Sequence, residues 1–179
     1  MATGRSIQLT KQIGEYLVSA ELCRRGLIST TFTGNVPEFD ILAINEKLQT
    51  IPIQVKTITG GSWQFNADTF LDIKKTSNDI QMVKGKREIS NSELICIFVR
   101  LRDQNLDEFY IFRKKTLQDI IYNNYTKYLS SKNGKRPKNP KSTHCAIKTD
   151  DLKDFRDNWD LIKDNQQLQT PKPPVNKFR

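Results

Sequence analysis

The stretch FDILAINEKLQTIPIQVKT, residues 39–57, sets two apolar runs either side of a turn-like Asn45-Glu46-Lys47 and breaks both runs with polar residues. Asp40 interrupts the first run; Gln54 and Lys56 interrupt the second. Side chains on a strand alternate between its two faces. Ile51, Ile53, Val55 and Thr57 therefore share one face, and Pro52, Gln54 and Lys56 share the other. In the first run Phe39, Ile41 and Ala43 lie opposite Asp40 and Leu42. Pairing the two runs through the turn converges Asp40 with Gln54 and Lys56 on one sheet face.

Those three residues make a definite chemistry. A carboxylate and an amide oxygen suit a hard cation such as Mg²⁺, which takes few protein ligands and keeps several waters. A lysine beside them orients or activates a water and offsets charge developing at phosphate. Together they outline metal-assisted phosphodiester hydrolysis.

Around this stretch the chain reads as one mixed domain. Residues 8–26 predict a helix with Ile13, Tyr16, Leu17, Ala20, Cys23 and Leu27 at three- and four-residue spacing and Gly26 as its stop. STTFT predicts a strand, Gly34 to Pro37 a turn, and GGSWQF a further short strand. Residues 66–92 are polar and read as a short helix with a long loop. ELICIFVRL is continuously apolar and so predicts a central strand. EFYIFRK follows as a strand, then TLQDIIYNNYTKYL as a helix burying Leu117, Ile120, Ile121, Tyr125 and Leu129. THCAIK is a short strand and DDLKDFRDNWDLI a helix with an acidic first turn. Pro52 belongs at a strand start or edge. The regular strand–helix alternation of a doubly wound sheet is missing.

Composition narrows the function. The 179 residues carry 36% hydrophobic and 27% charged side chains, which excludes wholesale disorder. No run is long enough to span a membrane, and the N-terminus lacks a secretory core. Cys23, Cys96 and Cys145 are too far apart for a zinc motif; Cys23 and Cys96 read as core residues, and a reducing, cytoplasmic setting is the simplest. The net charge of +9 fits a polyanionic partner. Its densest segment is the loop of residues 131–142, where Lys132, Lys135, Arg136, Lys138 and Lys141 stand with no acid among them. A phosphate backbone would be met by such a loop, although solvation alone also accounts for it.

PEFDILA followed by IQVKT resembles the PD-(D/E)XK nuclease superfamily in its QxK variant. The preceding helix, GEYLVSAELCRRGL, resembles the first helix of Holliday-junction resolvase-like and restriction-endonuclease-like members. The similarity covers residues 9–65; beyond them the matches are the central strand and a following helix. It implies an α/β fold with a mixed central sheet flanked by helices, a restriction-endonuclease-like core over residues 1–162; residues 163–179 show no periodicity and read as a disordered tail. It also implies a DNA endonuclease dependent on Mg²⁺ or Mn²⁺. Asp40 would be the main metal ligand, with Gln54 supplying a side-chain oxygen and Val55 its backbone carbonyl. Glu15 would complete the metal shell, and Lys56 would position the attacking water or steady the phosphate. Many such proteins act as homodimers, and no residue pattern here identifies a dimer face.

Each residue has a plainer reading. Asp40 fits a turn cap or a pair with a surface lysine, Gln54 and Lys56 fit the solvent face of an amphipathic strand, and Glu15 fits a solvated helix position beside Val18 and Leu22. Trp63 fits a core as well as a base-stacking surface, Trp159 fits packing, and His144 a loop–strand boundary. Two alternatives follow at the level of function. One is a nuclease-like nucleic-acid-binding module with weak or no catalysis; the other is an RNA-directed protein in which the basic loop dominates.

Overall fold

The computed structural model describes residues 4–32, 36–103 and 106–163. Gly34 and Asn35 of the expected turn, Gln104 and Asn105, and the expected tail from residue 164 onward lie outside the described residues. Helix α1 spans Gly4–Arg24, and strands β1 (Ile28–Thr31), β2 (Ile41–Ile44) and β3 (Thr50–Ile58) follow. Next come β4 (Trp63–Asn66), a 3₁₀ turn at Ala67–Thr69, β5 (Leu71–Lys75), β6 (Gln81–Lys86), β7 (Ile95–Arg100) and β8 (Glu108–Arg113). Helix α2 (Lys114–Ser130), β9 (His144–Ile147) and a 3₁₀ helix at Thr149–Phe155 complete the order.

The central sheet runs β1-β2-β3-β7-β8. Its β3–β7 ladder is parallel and the other three are antiparallel, so the sheet is mixed, as expected. ELICIFVRL supplies β7, which is interior to the sheet and buried on both faces, hence its unbroken apolar run. One face, with Ile41, Ala43, Ile53, Val55, Ile97 and Val99, packs under Val18 and Leu22 of α1. The other, with Cys96, Phe98 and Phe112, packs with Leu117, Ile121 and Tyr125 of α2 and with the β4–β9 ribbon. Pro52 costs no ladder bond. The Ile53 carbonyl bonds Asp40 on the β2 side, so Pro52 turns its missing N–H toward β7, whose pairing begins only at Ile53.

Helix α1 is closed by Gly26 at φ 81, with Gly26 N–H donating to Cys23 O and Leu27 N–H to Leu22 O. Its rotation corrects the sequence reading. The buried positions are Gly14, Val18 and Leu22, while Ile13, Tyr16, Ala20 and Cys23 are exposed. The cause is close approach at Gly14: a Cβ there would stand 1.8 Å from Thr57 Oγ1, so only glycine lets the helix seat on β3. Cys23 is thus a surface residue, whereas Cys96 and Cys145 are buried.

Two further segments differ from expectation. Within residues 66–92 the expected short helix is a 3₁₀ turn at Ala67–Thr69, but most of the expected loop is the β5–β6 hairpin of residues 71–86. Its inward residues Leu71, Ile73, Gln81 and Val83 do alternate, but a bulge at Asp72/Ile73 and the polar Gln81 hide the period. The segment DDLKDFRDNWDLI is a 3₁₀ helix broken at Asp157, whose φ is 52, and only 160–163 resume helical form. The basic segment of residues 131–142 is a loop, and it is tied down. Gly134 O accepts from Gln81 N–H at 2.8 Å, and Lys141 O from Lys75 Nζ at 2.8 Å.

Candidate active site in the fork between β2 and β3

Strands β2 and β3 stay together only as far as Asp40, whose N–H donates to Ile53 O at 2.9 Å. N-terminal to it the chain leaves the sheet at Glu38, which takes φ 76, a costly conformation for a residue with a side chain. That turn is held from outside: Ser90 Oγ donates to Glu38 Oε1 at 3.2 Å, and Asn91 Nδ2 donates to Oε2. Lys114 Nζ braces the same segment through Ser90 O at 3.0 Å. The divergence leaves the edge of β3 open beyond Ile53. Asp40 fills it, with Oδ2 accepting from Val55 N–H at 2.9 Å. Because a strand residue points its N–H and C=O to the same edge, the Val55 carbonyl faces the fork as well.

Helix α1 covers the fork from one side. Lys11 Nζ lies 3.2 Å from Asp40 Oδ1 and 3.5 Å from Glu15 Oε1. The side chains of Asp40 and Glu15 are 17% and 13% exposed and that of Lys11 54%, so two partly sheltered carboxylates share one ammonium that is open to water. Burial raises the Glu15 carboxyl above its ordinary value; Lys11 opposes this and the charge of Asp40 adds to it. At Lys11 burial works to lower the pKa, but Asp40, with Glu15 behind it, holds it above the ordinary value.

Gln54 and Lys56 occupy the other side of β3, in register with Cys96 and Phe98. Gln54 Nε2 donates to Glu38 O at 3.2 Å, which leaves the amide oxygen as the atom able to accept or ligate. The Lys56 ammonium stands 5.9 Å from the Phe65 ring centroid and forms no ion pair among the described residues. Lys56 and Asp40 do face a common neighbour. Burial pushes the Cys96 thiol up to about 12, Lys114 and Lys56 pull it down, and Asp40 pushes it up. The cation in contact with Asp40 is Lys11, which the sequence reading did not single out. Its signal was present in the i, i+4 spacing of Lys11 and Glu15.

The donors around Asp40 suit a hard cation. They are the carboxylates of Asp40 and, from α1, Glu15, which share Lys11, and the Val55 carbonyl on the open edge of β3; the Gln54 amide oxygen lies on the other side of that strand. Among the described residues no cluster of three or more His, Cys, Asp and Glu exists, so a cation here would keep water in its shell. Trp63 is a core residue: it is buried, donates Nε1–H to Lys56 O at 3.0 Å and packs 5.1 Å from Phe98. Trp159 is buried beneath Arg25. His144 opens β9.

The basic loop lies on the sheet face that carries Gln54 and Lys56, since it leads into β9, which pairs with β4 at Phe65. Lys132, Lys135, Lys138 and Lys141 are exposed. Arg136 differs: its guanidinium donates to His144 O at 2.9 Å and stacks 4.9 Å from the Tyr128 ring, so it fastens the loop.

Comparison with known proteins gives the fold a context. The chain is similar in structure to the bacterial homing endonuclease I-Ssp6803I, with a TM-score of 0.52 at 12% identity over 93% of this chain and 99% of that one. No protein-family model matches the sequence, and no curated protein matches it. At that identity the likeness is one of fold.

Proposed function

We propose that this protein is a DNA endonuclease that hydrolyses phosphodiester bonds with Mg²⁺ or Mn²⁺ at Asp40, a QxK member of the PD-(D/E)XK superfamily. The observation that carries the reading is the placement of Asp40 in an open strand fork, with Glu15 beside it and Gln54 and Lys56 on the strand that forms the other prong. A likeness in fold to a homing endonuclease supports it. Asp40 and Glu15 would hold the cation, with the Gln54 amide oxygen and the Val55 carbonyl available on the β3 side. Bound there, the cation would supply Lewis-acid stabilisation of phosphate charge and a more acidic water. Lys56, which forms no ion pair among the described residues, would orient that water or meet charge that develops on the phosphate in the transition state. The exposed loop lysines would hold the DNA backbone.

The test is nicking of supercoiled plasmid with and without Mg²⁺ by the parent, Asp40→Asn, Lys56→Ala and Gln54→Glu chains, alongside Mn²⁺ titration by calorimetry. Asp40→Asn should lose both metal and cleavage. Lys56→Ala should keep the metal and lose rate. Gln54→Glu adds a charge to the donor set and should tighten metal binding. DNA binding without metal-dependent nicking in the parent would favour the binding-module alternative, and preference for structured RNA over duplex DNA the RNA-directed one.

A further inference from the structure

A cavity of about 250 Å³ lies between α2 and β9, beside the basic loop, and the chemistry proposed for the fork makes no use of it. Gln64, Asn124, Tyr128, Arg136, His144 and Ala146 line it. The pairing of β9 with β4 decides what the strand offers there. Ala67 N–H donates to Thr143 O at 2.7 Å, one step beyond the Asn66–His144 pair. Bonded and non-bonded pairs alternate along an antiparallel ladder, so His144 and Ala146 turn their N–H and C=O groups away from β4. At His144 both groups are taken: the N–H donates to Ser142 Oγ at 3.2 Å, and the carbonyl accepts from Arg136 at 2.9 Å. At Lys148, next along the edge, the N–H donates to Asp151 Oδ2 at 2.7 Å and the carbonyl accepts from Asp151 N–H at 3.1 Å. Between them Ala146 keeps an N–H and a C=O with no partner among the described residues.

We infer that this cavity holds a single unpaired nucleobase. The N–H and C=O of Ala146 stand side by side, and the Watson–Crick edge of every base carries an acceptor next to a donor. A peptide strand fits the edge less well, because it needs such pairs at alternate residues, and those of His144 and Lys148 are closed. The half-buried Asn124 amide has no hydrogen bond among the described residues. Gln64 donates Nε2 to Ser62 Oγ at 2.7 Å and keeps its amide oxygen. The Arg136 guanidinium, 4.9 Å from the centre of the Tyr128 ring, makes a flat cationic wall of the kind on which unpaired bases stack. Lys135 and Lys138, exposed on either side of Arg136 in the sequence, are placed to meet the phosphates of the same nucleotide. Inside a duplex that edge of the base is occupied, so the base must be extruded or stand in a bulge. The inference rests on the proposed function only in taking DNA as the polymer that presents the base; it does not use the chemistry of the fork. A free nucleotide carries the same base and is the other source.

The test is fluorescence anisotropy of the full chain, with chelator present so that no strand is cut. The probes are one duplex sequence in fully paired form, with a single bulged base, and with an abasic residue in the bulge. The bulged base should be bound at least about tenfold tighter than the abasic bulge, as one stacked base implies. Asn124→Ala and Ala146→Pro should each lower that preference about fivefold, the loss of one hydrogen bond, and leave affinity for the paired duplex unchanged. Neither removes a bond within the fold, since the Ala146 N–H points off an edge strand where proline is tolerated; melts of both variants check this. A nucleoside monophosphate titrated by calorimetry forms the second arm. Saturable binding that both substitutions weaken, without discrimination among the DNAs, assigns the base to a free nucleotide. Equal affinity for the bulged-base and abasic DNAs with no nucleotide binding, or a preference indifferent to both substitutions, overturns the inference, while binding of the paired duplex leaves the proposed function standing. Failure to bind any of the DNAs counts against the proposed function instead, and the nucleotide titration then decides the pocket alone.

Discussion

Lys11 occupies the place where a cation between Asp40 and Glu15 would be expected, and removing its charge gives a measurable test of the fork. In Lys11→Met the aliphatic stem remains and the ammonium goes. Without metal, the two carboxylates then face each other with no shared counter-ion. The ammonium is half exposed, so its contacts at 3.2 and 3.5 Å are screened by water and contribute about 1 kcal/mol together. The metal-free chain should melt about 2–4 °C lower, the shift expected for that loss in a domain of this size. A divalent ion entering the fork no longer has to displace the ammonium, so Mn²⁺ affinity should rise by about fivefold. Added Mn²⁺ should then raise the melting temperature of the variant more than that of the parent, since a ligand that binds only the folded state stabilises by mass action. Lys11→Arg keeps the charge and should behave like the parent. Calorimetric titration and paired melts check both effects without reference to cleavage. An affinity for Mn²⁺ that is unchanged or weaker in Lys11→Met refutes the argument that Lys11 and metal share one place, even where Asp40→Asn abolishes binding.

Three other outcomes follow from particular side chains. Gly14→Ala places a Cβ 1.8 Å from Thr57 Oγ1 and should cost about 1–3 kcal/mol by overpacking in spite of the gain in helix propensity; Thr57→Ala in the same chain should recover part of the loss in a thermal melt. Neutralising Lys132, Lys135 and Lys138 should leave the melt unchanged and flatten the salt dependence of DNA binding by up to about 0.9 in log–log slope for each phosphate no longer neutralised, whereas Arg136→Ala should lower the melt, because Arg136 holds His144 O and the Tyr128 ring. On the acid side, burial would raise the Glu108 carboxyl, but Tyr110, Arg102 and Arg156 hold it below its ordinary value, and Arg25 and Arg24 overcome burial in the same way at Glu21. A depressed carboxyl stabilises the fold above its unfolded-state value, and that contribution is lost as pH falls through the folded-state one. Glu108→Gln should therefore flatten the loss of stability below the ordinary carboxylate range in melts run against pH.

How legible the molecule was depended on how many faces each segment buries. Strand β7 is apolar on both sides, so its sequence spelled out a central strand. In β3 one face is core and the other carries Gln54 and Lys56, so a period of two showed which residues were set aside. Helix α2 has one buried stripe, and Leu117, Ile121, Tyr125 and Leu129 are on it as the spacing predicts. Helix α1 has two apolar faces. A sequence does not say which of them its own sheet takes, and the deciding residue, Gly14, contributes no hydrophobicity at all. The β5–β6 hairpin was hidden for the converse reason: an inward Gln81 satisfied by Tyr125, Pro140 and Ser142 reads as polar surface. Asp40, Gln54 and Lys56 were legible as candidates because polar side chains interrupt apolar segments there, and Glu15 only through the resemblance of its helix. For Lys11 only the i, i+4 spacing to Glu15 could be read, because its ion pair with Asp40 joins residues 11 and 40 across the fold.

The two sheet faces at the fork carry opposite halves of one charge balance. Above β3, Asp40 and Glu15 contribute two negative charges and Lys11 one positive; below it, Lys56 contributes a second positive charge with the neutral Gln54 beside it. The formal sum is zero. An acid at position 54 would make it negative and would oppose the approach of a phosphodiester; the amide keeps an oxygen donor without that repulsion. On the proposed reading a divalent ion entering the fork raises the sum to about +2, a count from these four side chains and the ion alone, and so creates an attraction for phosphate at the moment the site is competent. The same entry releases Lys11, on a helix at the edge of the fork, to solvent or to the substrate. Gln54 and Lys11 thus act in the same direction: the first limits how negative the empty fork becomes, and the second neutralises what remains until the metal arrives.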